Sequence, residues 1–309
     1  MKPRITVVGS VNMDLVFRTP RMPAVGETLH GHEFCQIPGG KGANQAVAAA
    51  RQGAQVSFIG AVGDDGFGSF SRDCLAAEGM ELSHLARVAG TATGVAGILV
   101  DDSGSNSIVL AAGANATLTA AQVEAATAAI AGAQLLVCQL ETPLATVTRA
   151  IEIARAQGVK VILNPAPAQD LTDALLAQVD YLILNETEAS QLSGITVVDQ
   201  ISAKAASEQI LQRGTATVLL TMGEHGALIT DEAGSQFIPA VKVDVVDTTA
   251  AGDTFVGAFA VGLANGLSVL DASREAQYTA ALTVTKLGAQ TSIPQRQQVL
   301  DFMAVRKAA

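Results

Sequence analysis

The chain has 309 residues, of which 49% are hydrophobic, and its formal net charge at pH 7 is −10. This length allows two domains or one large α/β domain, and the apolar content is ample for a sizeable core. The acidic balance argues against a nucleic-acid partner, which would favour a basic surface stripe. The negative net charge does not exclude a phosphorylated substrate, because a nucleotide can bind as its magnesium complex to backbone N–H groups at the site.

The three cysteines indicate a reducing compartment. Cys35, Cys74 and Cys138 are far apart, odd in number and form no Cys-x-x-Cys pair, so we expect reduced thiols. The N-terminus does not resemble a signal peptide, and no apolar run approaches the length of a membrane span. The sequence therefore predicts a soluble, cytoplasmic protein.

The first third of the chain mixes strands, helices and two extended insertions. A buried strand over 5–9 is followed by extended segments over 15–38, which lack a helical period. A helix opens in the glycine-rich stretch at 39–45 and runs to 52, and a strand over 56–62 precedes a helix to about 78. Two further runs, 93–100 and 106–110, surround the turn at 101–104 and predict an antiparallel hairpin.

From residue 119 onward, helices and strands alternate. The predicted helices are 119–131, 143–157, 172–177 and 199–213, and the predicted strands are 134–138, 159–163, 180–184 and 216–221. Short antiparallel strands follow at 227–231 and 235–238, and then three helices begin at Gly252, Val269 and Gln295. Such alternation is typical of a Rossmann-like, mostly parallel sheet covered by helices. We expect a single α/β domain over 1–309, with a small β-sheet appendage formed by about 14–38 and 93–111.

Polar residues follow several of the predicted parallel strands. Ligands bind at the carboxyl ends of such strands, and turn chemistry alone does not explain five polar clusters at one edge. The clusters are Asn12 with Asp14, Glu141, Asn164, Asn185 with Glu188, and Thr221 with Gly223.

The stretch Asp247-Thr-Thr-Ala-Ala-Gly-Asp-Thr-Phe255 joins a short apolar run to an apolar helix. Its small residues allow consecutive N–H groups to face one concavity at a helix N-terminus, which attracts phosphate oxygens. Asp253 would repel that phosphate unless it served as a general base for the attacking hydroxyl. Alternatively, Asp253 simply improves the start of the helix, since acidic residues are favoured in the first turn.

A second glycine-rich helix entry is Gly39-Gly40-Lys41-Gly42-Ala43-Asn44, which lacks the Gly-Lys-Ser/Thr ending of a P-loop. Its glycines allow a ligand to approach the backbone closely. A plain helix entry would explain the glycines, but it would not explain a lysine and an asparagine together. We therefore favour a binding role.

Asn185 and Glu188 stand three residues apart at the predicted start of a helix. Their oxygens would suit a hydrated Mg²⁺ that arrives with nucleotide phosphates. A capping box, with Asn185 as N-cap and Glu188 as its partner, explains the same spacing and is the stronger reading of this pair alone.

The segment Thr221-Met-Gly223-Glu-His-Gly226 joins a strand to the later hairpin. Its glycines could flank a nucleotide, but a tight turn explains them equally well. The two interpretations stay open.

Taken in order, these motifs strongly resemble those of the ribokinase family of sugar kinases, the phosphofructokinase-B group, over nearly the whole chain. Further matching segments are Gly9 to Asp14, Gly63-Asp64-Asp65, Gly113-Ala114-Asn115 and Asn164 to Ala168. The glycine-rich motif at 39–45 and the Ala-Gly-Asp motif at 251–253 are the two signatures of the family, and their joint presence is highly specific. The resemblance implies ATP-dependent phosphorylation of D-ribose at O5, with Mg²⁺.

The resemblance also implies roles for individual residues. Asp253 would be the base, and the backbone of Ala250, Ala251, Gly252 and Asp253 would form an anion hole for the transferring phosphoryl group. The sugar hydroxyls would be held by Asn12, Asp14, Gly39, Gly40, Lys41, Asn44, Glu141 and Asp253. Because Asp14 can accept from two vicinal hydroxyls, a 2-deoxy sugar would leave part of that capacity unpaired.

For ATP, the resemblance implies a site at Asn185, Thr221, Gly223, Gly226, Gly252 and Gln277, with Glu188 and Asn185 organising Mg²⁺ through water. A monovalent cation, usually K⁺ in this family, would lie at Asp247, Thr249, Thr283, Lys286, Gly288 and Ser292. Lys286 would serve only through its backbone carbonyl. Two positions depart from the family pattern: Gln277 replaces a histidine near adenine, and Thr249 replaces an aliphatic residue.

The early β insertions match the family's lid, which covers the sugar and pairs two subunits. The resemblance therefore implies a homodimer formed through the lid, with closure that excludes water. Two alternatives stay open. One is a kinase for another furanose, such as 2-deoxyribose or a nucleoside, and the other is a non-catalytic sugar-binding protein of the same fold.

Overall fold

A nine-stranded sheet forms the centre of this computed structural model, which describes residues 2–308. In chain order, the strands of both sheets are β1 Arg4–Val8, β2 Asn12–Thr19, β3 Glu33–Gly39, β4 Gln55–Gly63, β5 Leu85–Val88, β6 Gly94–Asp101, β7 Asn106–Ala111, β8 Leu135–Cys138, β9 Lys160–Leu163, β10 Tyr181–Asn185, β11 Thr217–Thr221, β12 Ala227–Asp231 and β13 Gly234–Ile238. The central sheet has the order β13-β12-β11-β10-β9-β8-β1-β4-β5. Neighbours from β11 to β5 pair in parallel, whereas β12 is antiparallel to both of its neighbours. The predicted mostly parallel sheet is thereby confirmed.

Helices cover both faces of this sheet. Their bounds are α1 Lys41–Arg51, α2 Gly66–Ala77, α3 Ala120–Ala125, α4 Thr127–Ala131, α5 Leu144–Ala156, α6 Asp173–Leu176, α7 Glu186–Ser193, α8 Gln200–Leu211, α9 Ala251–Ala264, α10 Val269–Thr283 and α11 Arg296–Ala308. Because side chains alternate along a strand, neighbouring residues of β1 enter different layers. Val7 packs in the layer of α1 and α9, and Val8 packs in the layer of α5 and α8.

A second sheet lies outside the central one, with the order β3-β2-β6-β7. Strands β2 and β6 are parallel, and β3 and β7 add to them in antiparallel orientation. It arises from the two insertions that lack a helical period, as the sequence predicts. Strand β7 is an edge strand, and all six of its residues are exposed.

Three details differ from the sequence prediction. The helix expected over 119–131 is two short helices, α3 and α4, which meet at Ala126, where the backbone leaves the helical conformation with ψ of 10°. Strand β2 begins at Asn12 rather than near 15, so two of the expected polar ligands lie inside a strand. Strand β5 was missed because it has only four residues, and this short run gives no clear period.

The carboxyl ends of the parallel strands meet the N-termini of α1, α7 and α9 at one edge of the molecule. Residues that follow β1, β8, β9, β10 and β11 therefore converge there. Within residues 2–308, none of the helices has both the length and the apolar character that crossing a bilayer requires.

Candidate active site

Asp253 is a buried carboxylate in the first turn of α9 and is held by two amides from α1. Asn44 Nδ2 donates to Asp253 Oδ2 at 2.9 Å, and Gln45 Nε2 donates to Asp253 Oδ1 at 3.0 Å. An acid that only improves a helix start would face solvent or its own backbone amides. The observed contacts instead fix this carboxylate against another helix, which favours a role at the site.

The backbone immediately before α9 is strained, and two amides in the first turn of α9 have no acceptor within residues 2–308. Ala250 has φ of 60°, the left-handed region that residues with a Cβ rarely occupy. Ala251 N donates to Thr248 O, whereas the amides of Gly252 and Asp253 have no acceptor among the residues described. Two free N–H groups at the positive end of a fourteen-residue helix suit a phosphoryl group.

Asp14 lies beside Gly39, because β2 and β3 pair Asn12 with Gly39 and Asp14 with Ile37. Gly40 has φ of 91°, and a Cβ there would lie 2.7 Å from Asn12 N. The two glycines thus let the chain turn into α1 while passing close to the β2 backbone. Asn115 Nδ2 donates to Asn12 Oδ1 at 2.7 Å, which leaves the Asn12 amide nitrogen directed away from Asn115.

Glu141 joins the loop after β8 to the start of α1. Its Oε2 accepts from Ser10 Oγ at 2.5 Å and from Lys41 N at 3.0 Å. Its Oε1 has no hydrogen-bond partner in the part of the chain that the structure describes, so one oxygen remains for a ligand.

Several ionisable groups lie close together at this edge, and burial and neighbouring charges shift their pKa values. Burial, assisted by the charges of Glu141 and Asp253, raises the pKa of Asp14 to about 7. Burial opposes the charge of Lys41, but Asp253, Glu141 and Glu188 outweigh it and raise the pKa of Lys41. The lysine therefore stays protonated among carboxylates, which prepares the site for a polar or anionic ligand.

Asn185 and Glu188 form the capping box that the sequence suggested. Glu188 N donates to Asn185 Oδ1 at 2.9 Å, and Asn185 N donates to Glu188 Oε2 at 3.0 Å. Burial raises the pKa of Glu188, although the Asn185 amide and Lys41 partly offset this effect. Both residues also line a cavity, so capping and ligand binding are compatible here.

Two cavities adjoin at the N-terminus of α9. The first, about 200 Å³, is lined by polar groups that include Lys41, Asn164, Asn185, Glu188 and Asp253. The second, about 490 Å³, is largely apolar. They share four lining residues, Thr221, Thr248, Ala251 and Gly252. The free amides thus lie where a polar compartment meets an apolar one.

Five of the six residues predicted for a nucleotide line the larger cavity, namely Thr221, Gly223, Gly226, Gly252 and Gln277, whereas Asn185 lines the smaller one. The backbone also requires glycine at position 226, because φ there is 100° and a Cβ would lie 2.1 Å from Ile238 O. The amide of Gln277 can donate to Pro239 O at 2.9 Å and accept from Ala227 N at 3.1 Å. These contacts tie α10 to β12 beneath the cavity.

The residues predicted for a monovalent cation lie in the loop before α9, at the last residue of α10 and in the loop that follows α10. Asp247 Oδ2 accepts from Gly288 N at 2.9 Å, and Asp247 Oδ1 accepts from Thr249 N at 2.9 Å. Burial opposes the charge of Asp247, but these hydrogen bonds outweigh it and lower its pKa.

Two other predicted cation ligands, Thr283 and Ser292, donate their hydroxyl hydrogens to backbone carbonyls. The Thr283 hydroxyl donates to Thr279 O at 3.0 Å and the Ser292 hydroxyl donates to Ala289 O at 2.8 Å. Lys286 N donates to Thr283 O at 3.2 Å, which brings these two positions of the loop together.

Residues 2–308 contain no cluster of three or more His, Cys, Asp or Glu side chains that could hold a metal ion.

Gln45 and Gln139 also belong to this site, and the sequence did not predict them. Gln45 stands four residues after Lys41, so both lie on one face of α1 together with Asn44. That spacing was readable, but its meaning depends on α9, which is more than 200 residues away in the chain.

Comparisons with known proteins identify the family of this chain. The model of the pfkB family of carbohydrate kinases matches residues 2–296. The chain is 46% identical over 303 residues to the ribokinase of Haemophilus influenzae, covering 98% of this chain and 99% of that one. It is 38% identical over 304 residues to the deoxyribokinase of Salmonella typhi, covering 98% and 99%. The ribokinase of Arabidopsis thaliana, solved in complex with ribose and ATP, superposes with a TM-score of 0.90 at 31% identity, covering 98% of this chain and 99% of that one. The chain belongs to the pfkB family of carbohydrate kinases.

Proposed function

We propose that this protein transfers the γ-phosphoryl group of ATP to O5 of D-ribose, giving ribose 5-phosphate and ADP. The observation that carries the proposal is the position of Asp253, a buried carboxylate beside two free amides where two cavities adjoin. Curated relatives of nearly equal length are ribokinases.

In the reaction, Asp253 accepts the proton of the attacking hydroxyl. General-base catalysis contributes typically about 10²- to 10⁴-fold to the rate. The amides of Gly252 and Asp253 stabilise the charge that develops on the transferring group, and Ala250 and Ala251 form the turn that aims them. The α9 dipole acts in the same direction.

The sugar would bind beside Asp253, under the second sheet. Two acceptors support this position, a buried one on Asn44 and one on the half-buried side chain of Glu141. Asn44 Oδ1 has no partner among the described residues, and Glu141 Oε1 is free as well. A ligand with several hydroxyl donors would satisfy these atoms, since unpaired buried acceptors are costly. Asn12, Asp14, Lys41 and the backbone at Gly39 and Gly40 would complete the set.

ATP would occupy the larger cavity, with its base among apolar side chains and its phosphates at the N-terminus of α9. Asn185, Thr221, Gly223, Gly226 and Gln277 would surround it. Mg²⁺ would be organised by Glu188 and Asn185 through water, and when bound it would neutralise phosphate charge. The chemistry of this donor set, oxygen atoms beside a phosphate-sized cavity, fits such an ion.

Three further parts of the proposal rest on the family resemblance. Asp247, Thr249, Thr283, Lys286, Gly288 and Ser292 would surround a K⁺ ion behind the anion hole. The second sheet, over about 14–38 and 93–111 of a single domain, would act as a lid and join two subunits. The location would be cytoplasmic.

A second candidate substrate is 2-deoxyribose, because a relative at 38% identity is a deoxyribokinase. ADP formation measured with ribose, 2-deoxyribose, fructose and adenosine, at saturating ATP, separates the candidates. We expect the highest kcat/KM with ribose. A higher value with deoxyribose or adenosine would refute the assignment of ribose, and no sugar-dependent ADP formation would refute the kinase.

A further inference from the structure

We propose that Gln45 is a positioning residue, which holds the Asp253 carboxylate in the orientation that accepts the proton. Gln45 is fully buried, and it does not line either cavity. It therefore acts on the reaction through its hydrogen-bond partners, of which Asp253 is the proposed base. This inference rests on the proposed function.

The direction of the Gln45 amide is fixed by its neighbours. Gln139 Nε2 donates to Gln45 Oε1 at 2.7 Å, so the amide nitrogen of Gln45 must point the other way. That nitrogen donates to Asp253 Oδ1 and to Asn164 Oδ1, both at 3.0 Å. Asn164 Nδ2 in turn donates to Ile183 O at 2.9 Å, which turns its oxygen toward Gln45. The chain of amides thus delivers a donor, rather than an acceptor, to Asp253.

The packing of two helices brings this donor within reach. Gly257 lies one turn after Asp253 on α9, and a Cβ there would lie 2.5 Å from Gln45 O and 2.6 Å from Ala48 Cβ. Only glycine allows α9 to approach α1 this closely at that point. The same contact sets the distance between Gln45 and Asp253.

Gln45 and Asn44 hold Asp253 in different ways. Asn44 is predicted to bind the sugar, and it carries an unpaired buried oxygen. Its bond to Asp253 Oδ2 is therefore open to change when substrate arrives. Gln45 has both polar atoms paired within the protein, so its bond to Oδ1 persists through the cycle. We assign the permanent constraint to Gln45.

The charged groups around Asp253 come from three other elements, namely Asp14 of β2, Lys41 of α1 and Glu188 of α7. The Gln45 donor, like Lys41, is a favourable partner for the negative charge of the Asp253 carboxylate, whereas Asp14 and Glu188 repel it. Loss of the donor should thus misalign the base and remove a favourable contact with its charge.

The test compares Gln45→Met with Gln52→Met. Gln52 is another buried glutamine at the end of α1, and its side chain donates to Pro294 O at 2.9 Å, away from the site. For Gln45→Met we expect kcat to fall about 10- to 100-fold, with KM for ribose and ribose affinity by calorimetry changed by less than about threefold. The acid limb of the kcat–pH profile should move up by about one pH unit. Gln52→Met should leave kcat and the profile unchanged.

Gln45→Glu keeps the side-chain shape but sets a second carboxyl against Asp253. We expect a larger shift of the acid limb than in Gln45→Met, because two adjacent carboxylates compete for one proton.

If the Gln45 variants do not fold, Gln139→Met tests the same constraint, since it frees the Gln45 amide to rotate. We expect a smaller shift of the acid limb in the same direction.

Unchanged kcat and pH profile in folded Gln45→Met would overturn the inference, as would a loss confined to KM or shared equally with Gln52→Met. For the Gln139 variant, wild-type kinetics would overturn it. In each case the wild-type enzyme must form ADP with ribose, and if it does not, the proposed function fails first.

Discussion

Asp14 and Gly39 are diagonal neighbours in the β2–β3 pair, and the Asp14 carboxylate occupies the space that a side chain at position 39 would need. A Cβ at position 39 would lie 2.3 Å from Asp14 Oδ2 and 2.6 Å from its Cγ. The glycine of the family signature therefore has a local purpose besides ligand approach. It leaves room for a buried carboxylate at the predicted sugar site.

Gly39→Ala should displace the Asp14 carboxylate and weaken ribose binding. We expect KM for ribose to rise by about tenfold or more, with a smaller effect on kcat, because in the proposed site Asp14 would contact the sugar in the ground state and the transition state alike. Steady-state kinetics with varied ribose would measure this. Gly97→Ala, in β6 of the same sheet, is the control, since its Cβ would meet only Val109 O at 3.9 Å. Equal effects of both substitutions would contradict the explanation.

The raised pKa of Asp14 predicts that ribose affinity depends on pH. Sugar hydroxyls donate to a carboxylate, so binding favours the ionised form and should strengthen as the pH rises through about 7. Below that pH, the dissociation constant should increase up to about tenfold per unit. Calorimetric titration with ribose from pH 5.5 to 8.5 would measure it.

Asp14→Asn is the control for this prediction, and we expect a flatter pH dependence with weaker binding throughout. Stability provides an independent check. Because the folded-state pKa lies above the ordinary value of 3.8, the stability linked to Asp14 is present at low pH and is lost as the pH rises toward 7. Asp14→Asn should therefore gain stability relative to wild type near pH 7, and less so near pH 5. An opposite trend in melting temperature would contradict the assigned pKa shift.

The sequence predicted the parallel sheet well, because each βα unit carries its own periodicity. Asp253 could be singled out because an acid beside an anion site is chemically unusual. Its partner Gln45 could not, since a glutamine in an alanine-rich helix has no local signature. The pairing exists only because Gly257 allows α1 and α9 to pack closely, and that contact joins distant parts of the chain.

Asp247→Ala should reduce activation by K⁺. The side chain ties the loop at 247–249 to Gly288, and its lowered pKa keeps it ionised near neutral pH. Removing it takes away the negative charge and loosens the loop before the anion hole. We expect the ratio of kcat with K⁺ to kcat with choline to fall severalfold. Asp244→Ala, an exposed acid three residues earlier, should keep the wild-type ratio. If Asp247→Ala also keeps it, the cation site lies elsewhere.

We predict that two subunits meet at strand β7. Its Ile108 and Val109 are 58% and 75% exposed on an edge strand, which in an isolated monomer invites pairing with another chain. Ile108→Lys should give a monomer in sedimentation velocity, where the wild type is expected to be a dimer. Val198→Lys is the control, because Val198 is also an exposed apolar residue but lies outside both sheets. This variant should have the same mass in solution as the wild type. A monomeric wild type would contradict the prediction.

The Asp253→Asn variant distinguishes a catalytic role of Asp253 from a role in starting helix α9. In the proposed reaction the carboxylate accepts the proton, so we expect kcat to fall about 10²- to 10⁴-fold. Ribose affinity by calorimetry should change by less than about threefold, because the other proposed sugar ligands remain. Asp271 gives a matched control, since it occupies the same third position of α10 and is an acid of the first turn without contact to the site. Asp271→Asn should cost some stability through the helix dipole and leave kcat unchanged. If the two variants lose similar stability and Asp253→Asn keeps its turnover, Asp253 serves the helix and not the reaction.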